Sequence, residues 1–253
     1  MRPRQESPGE VDALFAELLS AGERGAALRE LLRHRPPDES VLVAVLRRAV
    51  PVKLLEGLAA WPPWSETPRV LGAVALNQRT PSQLVLRLLA SLFWRDLAEV
   101  ARASRLVAAV RLRAEALLTE RLPELRLGDR ITLARLATPA LLRALLLGGE
   151  ARVTRAALFN PRLRESDLVD ALQKDTAPLA LIREVADSRR WQECYGVRLA
   201  LALQARTPLG VALAQLTSLL PRDLVRISET PGLVPLVQLS ALRVARGPAA
   251  PRP

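Results

Sequence analysis

The chain has 253 residues, 49% hydrophobic and 25% charged, with 37 Lys and Arg against 26 Asp and Glu for a formal net charge of +11. That balance suits one elongated or two compact folded domains and excludes a chain too polar to build a core. A single cysteine, Cys194, excludes an internal disulfide framework. A single histidine, His34, leaves no Cys/His set for a zinc or iron–sulfur centre, so no metal and no cofactor are expected.

Leu, Ala and Arg make up about half of the chain and aromatics only 3%, which points to an all-α protein. The opening MRPRQESPGE is charged and lacks the apolar core of a signal peptide, so residues 1–10 read as a disordered start and the chain as cytoplasmic. The longest apolar run, Leu199 to Leu220, is broken by Arg206, so no transmembrane segment is expected. Residues 11–118 then read as a first helical unit. His34 precedes a double proline, which suits a solvent-facing residue near a helix C-terminus better than a catalytic imidazole with no second group nearby.

Thr-Pro pairs punctuate the chain at Thr67-Pro68, Thr80-Pro81, Thr138-Pro139, Thr207-Pro208 and Thr230-Pro231. Each predicts a helix start, with Thr capping an orphan amide and Pro in the first helical position. After Thr80, Leu84, Leu88 and Leu92 recur every four residues; a helix is then expected from Arg95 to Arg105, with Leu97, Val100, Ala101 and Ser104 on its apolar stripe. Residues 119–136 read as a junction, 137–245 as a second helical unit, and the Pro-rich 246–253 as a frayed tail. Cys194 lies beside Glu193, which opposes thiolate formation and favours a structural thiol.

The strongest signal is internal repetition. ALNQRTPSQLVLRLLASLFWRDL from Ala75 recurs as ALQARTPLGVALAQLTSLLPRDL from Ala202, an offset of 127. Arg79, Thr80, Pro81, Asp96 and Leu97 match Arg206, Thr207, Pro208, Asp223 and Leu224. Upstream, Trp64 matches Trp191, Pro51 matches Pro178 and Gly22-Glu23 matches Gly149-Glu150, so a tandem duplication of a unit of about 127 residues is expected. Tryptophans at equivalent positions suit packing between repeated hairpins better than base stacking.

Short helices on short loops stack as antiparallel hairpins, so the expected architecture is an α-solenoid. The pieces ALNQRTPSQLV, LFNPRLRESDLV and ALQARTPLGVAL resemble the bacterial HEAT-like repeat proteins, in particular the leucine-rich repeat variant group, whose repeats carry "ALxNPxTP" before a leucine-periodic helix. Some members of that group carry a cysteine cluster for iron–sulfur binding, and those cysteines are lacking here. HEAT-like DNA glycosylases use an acidic residue beside aromatics in a basic groove, a motif that matches no position of this chain.

The positive charge is uneven: residues 1–101 carry a net +1, 102–164 a net +8 and 165–253 a net +2. Only Lys53 and Lys174 are lysines, so GC-rich coding competes with selection for a ligand as the source of this bias. Arg95, Arg102, Arg105, Arg126 and Arg130 are the candidate partner-binding residues, on the expectation that they form one basic patch. No Gly-rich phosphate loop, paired-carboxylate motif or nucleophile elbow appears, so a non-enzymatic protein-interaction scaffold with an acidic partner is the leading expectation. A nucleic-acid-binding solenoid is the alternative, since arginine forks suit phosphate and carboxylate alike.

Overall fold

The computed structural model describes residues 8–247; residues 1–7 of the expected disordered start and 248–253 of the expected tail lie outside the described residues. Among the described residues the chain is all α, with eighteen α-helices, three short 3-10 turns and no strand. It divides into two compact units, Met1–Pro123 and Glu124–Pro253. The first holds α1 (Pro8–Ala21), α2 (Gly25–His34), α3 (Glu39–Val45), α4 (Val52–Leu58), α5 (Pro68–Leu76), α6 (Ser82–Leu88), α7 (Trp94–Arg102) and α8 (Ala108–Arg121). The second holds α9 (Leu127–Leu136), α10 (Pro139–Leu147), α11 (Ala151–Leu158), α12 (Glu165–Leu172) and α13 (Leu179–Ala186). It continues with α14 (Arg189–Gln192), α15 (Tyr195–Leu203), α16 (Leu209–Leu216), α17 (Pro221–Glu229) and α18 (Pro235–Ala245). Residues 8–10, expected within a disordered start, open α1, and the stretch 119–136, expected as a junction, holds the end of α8, a 3-10 turn and α9.

Each helix buries a narrow stripe. In α7, Leu97, Ala98, Val100 and Ala101 are buried while Arg95, Glu99 and Arg102 face out, as a 3.6-residue period requires. α7 lies against α8 in the first unit, and α17 lies against α18 in the second, where Leu216, Leu224, Ile227, Val237 and Ala241 share one core. Gly22 and Gly149 stand 127 residues apart, just past α1 and α10, and both take left-handed backbone (φ 59° and 76°) that a side chain would disfavour.

The recurring Asn/Gln-x-Arg pieces are turn locks. Asn77 is buried and donates through Nδ2 to the carbonyls of Leu46 and Arg48 at 2.6 and 2.7 Å, while its Oδ1 accepts from Arg79 N–H at 2.9 Å. Asn160 repeats this with the carbonyls of Ala134 and Ala137 at 2.8 and 3.2 Å and Arg162 N–H at 2.8 Å. Gln204 does the same with the Leu172 carbonyl, the Lys174 carbonyl at 3.0 Å and Arg206 N–H at 3.1 Å. Each side chain thus folds its own turn and ties it to a turn 23 to 32 residues earlier.

The Thr-Pro pairs depart from the capping expected of them. Thr67 and Thr138 do sit before Pro68 and Pro139 at helix starts, but neither hydroxyl caps; Thr67 Oγ1 donates to the Pro63 carbonyl at 2.9 Å. At Thr80-Pro81 and Thr207-Pro208 the helix begins one residue later, with the proline itself at the N-cap. Both threonines are buried, and Thr80 Oγ1 donates back to the Val74 carbonyl. Thr230-Pro231 follows a helix end, and Thr230 Oγ1 bonds the Arg226 carbonyl at 2.7 Å. Proline restricts the residue before it to extended backbone; for Thr80 and Thr230 the hydroxyl then turns back onto the preceding helix, whereas the buried Thr138 and Thr207 hydroxyls make no hydrogen bond among the described residues.

Candidate functional site

Arg95, Arg102 and Arg105 belong to the first unit, Arg126 and Arg130 to the second. Arg95 and Arg102 are exposed on one face of α7, seven residues apart, and the Arg95 guanidinium lies 5.2 Å from the centroid of the Trp94 ring. α7 ends at Arg102, so Arg105 is not on that helix: its guanidinium donates to the Leu76 carbonyl. Ser104, expected on the buried stripe, is exposed in the same turn because the helix has already stopped. Arg126 is exposed at the start of α9, whereas Arg130 is half-buried, its Nε enclosed and without a hydrogen bond among the described residues.

Much of the positive stretch is used internally. Arg121 donates to the carbonyls of Leu92 and Ala90 at 2.8 and 2.7 Å, and Arg143 pairs with the buried Asp167 at 2.9 Å. Trp64 and Trp191 are both buried, and Trp191 Nε1 donates to the Leu158 carbonyl at 3.1 Å, so neither ring is a stacking platform. His34 ends α2, exposed, 2.6 Å from Glu30. Cys194 is half-buried at the start of α15, and burial, then Glu165, pushes its thiol up, away from the thiolate that nucleophilic chemistry needs. Among the described residues no group of His, Cys, Asp and Glu could hold a metal ion, and no helix is long and apolar enough to cross a membrane.

A groove lies in the second unit, between α9 and the end of α11. Ile131, Arg135, Arg152, Arg155, Ala156 and Phe159 line a groove of about 570 Å³. Phe159 is 78% exposed. Its backbone is held in place, because the next residue is the turn-locking Asn160, and Leu158 and Leu163 on either side are buried. Arg155 is gripped by Glu184 through two bonds of 2.8 Å, while Arg135 and Arg152 are exposed beside the ring. An exposed aromatic among arginines, on a backbone that is held in place, has the composition of an interface anchor. None of these groove residues was singled out in the sequence apart from the general excess of arginine over 102–164.

A second cavity, of about 460 Å³, lies in the first unit and is lined by Arg47, Arg69, Ala73, Asp96, Glu99 and Arg105 among others. Its carboxylate Asp96 is half-buried, and burial, with the Glu99 charge adding to it, pushes the group above the usual aspartate range against the pull of Arg69. Compared with known protein families, with curated proteins and with solved structures, the chain matches none.

Proposed function

We propose that this chain is a non-enzymatic interaction scaffold, each unit a HEAT-like helical-repeat solenoid, and that it docks an acidic protein segment in the groove of the second unit. The observation that supports the reading is Phe159, 78% exposed on a backbone held by the Asn160 turn, with Arg135 and Arg152 beside it. A partner residue of aliphatic or aromatic type would cover Phe159 and Ile131 and bury apolar surface, and flanking carboxylates would meet the arginine forks. An acidic protein suits the groove better than a nucleic-acid strand: only one ring is offered for stacking, and Glu184 holds Arg155 with both oxygens, leaving that guanidinium less free for phosphate.

The test compares proteins retained from the source cell by the wild-type chain, by Phe159→Ala and by Arg135→Glu/Arg152→Glu, with and without nuclease. An acidic protein retained in a nuclease-resistant, salt-sensitive manner by the wild type and lost with both variants supports the reading. Equal retention by all three chains refutes it, and retention abolished by nuclease replaces it with the nucleic-acid reading.

A further inference from the structure

The first unit holds a cavity whose charge is opposite to that of the second-unit groove. Its volume is about 450 Å³, and it lies between α1 and the Arg35–Asp38 turn that leads into α3. Ala13, Leu14, Pro36, Pro37 and Val41 give it apolar lining, of which Leu14 and Val41 are buried. Two successive prolines fix their own φ angles, so that side of the cavity is formed before anything enters it.

Three carboxylates, Glu10, Glu17 and Asp38, share the lining with one guanidinium, Arg35. Arg35 is taken up by Glu17 at 3.3 Å. That leaves Glu10 and Asp38, both exposed and neither in an ion pair among the described residues. Asp38 stands at the N-cap of α3, yet its side chain makes no capping bond there. The groove around Phe159 is the converse. Glu184 takes up Arg155, and Arg135 and Arg152 remain exposed without an ion pair among the described residues.

Resting on the groove reading above, we propose that the acidic partner is a second copy of this chain. Phe159 of one copy enters the first-unit cavity of the other, and Arg135 and Arg152 meet Glu10 and Asp38. The ring is 78% exposed, and the cavity supplies the aliphatic surface that would cover it. Two free arginines face two free carboxylates, which guanidinium forks suit. The cavity beside Asp96 is a poorer partner, because Arg47, Arg69 and Arg105 outnumber Asp96 and Glu99 there and repel the groove. One contact leaves each copy with one surface unused. A two-fold pair fills it reciprocally, and a ring or open chain fills it with further copies.

Sedimentation of the full chain over a range of concentrations tests this, at about 0.15 M salt, where a screening length of about 8 Å mutes the long-range repulsion of two +11 chains. The wild type is expected to self-associate. Phe159→Ala, with its cavity intact, and Glu10→Arg/Asp38→Arg, with its groove intact, should each self-associate at least about tenfold more weakly. Mixed together, they should form a one-to-one pair, since one intact cavity then meets one intact groove. No wild-type association tighter than about 1 mM, equal association by Phe159→Ala, or no pair from the mixture while both variants keep the wild-type circular dichroism overturns the proposal. If the charge-reversed chain does not fold, wild type against Phe159→Ala decides alone. A chain that does not self-associate but retains a different acidic protein through Phe159 overturns the second copy and leaves the groove reading standing; loss of both overturns the two together.

Discussion

Asn160 is where a single side chain carries the most. It is 2% exposed and makes three hydrogen bonds, two as donor to the Ala134 and Ala137 carbonyls and one as acceptor from Arg162 N–H. Asn160→Ala removes all three and leaves two carbonyls and an amide enclosed without partners. At about 1 kcal/mol for each net bond, with the added cost of unsatisfied buried groups, the second unit should lose about 2–4 kcal/mol. Asn160→Asp separates the donor role from the acceptor role. The carboxylate still accepts from Arg162 N–H, but its other oxygen now faces two carbonyl oxygens, so near neutral pH it should be less stable than the alanine variant. The protonated acid can donate again, which raises the pKa of the folded state above the value of about 3.9 for an unfolded aspartate. The folded form then binds more protons, so stability rises as pH falls through that interval and is lost as pH rises through it. Urea denaturation followed by circular dichroism at 222 nm, at pH 7 and near pH 4, measures both effects. A loss under about 0.5 kcal/mol for Asn160→Ala, or an Asn160→Asp variant that gains nothing on acidification relative to Asn160→Ala, would refute the turn-lock reasoning.

Trp191→Phe deletes the pyrrole half of a buried indole together with its Nε1 donor, leaving a void and an unpaired Leu158 carbonyl, and a loss of about 2–4 kcal/mol is expected in the same denaturation assay. Gly57→Ala places a Cβ within 2.5 Å of the Trp61 ring atoms; the indole must move or the helix shift, and about 1–3 kcal/mol of destabilisation with altered tryptophan emission should follow. The Asp96 carboxyl, titrated by carbon-detected NMR, should have its midpoint above that of an unstructured aspartate because burial disfavours its charge. Its contribution to stability is present at pH below the ordinary aspartate range and falls as pH rises through the raised folded value, so a midpoint at or below the ordinary value removes the burial argument.

The all-α class and the buried tryptophan pair were legible because they rest on composition and on spacing, which packing then obeys. Trp64 and Trp191 are both inside, as their equivalent positions indicated. The Thr-Pro signals misled because a proline at either of two positions reads alike in sequence, and only the buried Thr80 hydroxyl on the Val74 carbonyl tells which applies. The Arg95–Arg105 helix was overextended because Ser104 continues the apolar period while the backbone has turned at Ala103. Phe159 escaped notice because a phenylalanine next to Leu158 reads as core; its exposure follows from Asn160, which ends the helical geometry and fixes the turn. Asp96 was visible as a helix-start residue, but its close approach to Gly72 is a tertiary contact that spacing within one helix does not show.

The Asn77, Asn160 and Gln204 locks reverse an ordinary rule for recombining chains. Loops are usually the safe places to cut and splice, since their backbone is solvated and interchangeable. Here the loops hold the long-range bonds, whereas the exposed flanks of helices such as α7 make mostly local ones. A chimaera joined inside a helix, with each turn kept together with the carbonyls it grips, should preserve its architecture; one joined at the turns would separate every lock from its keeper.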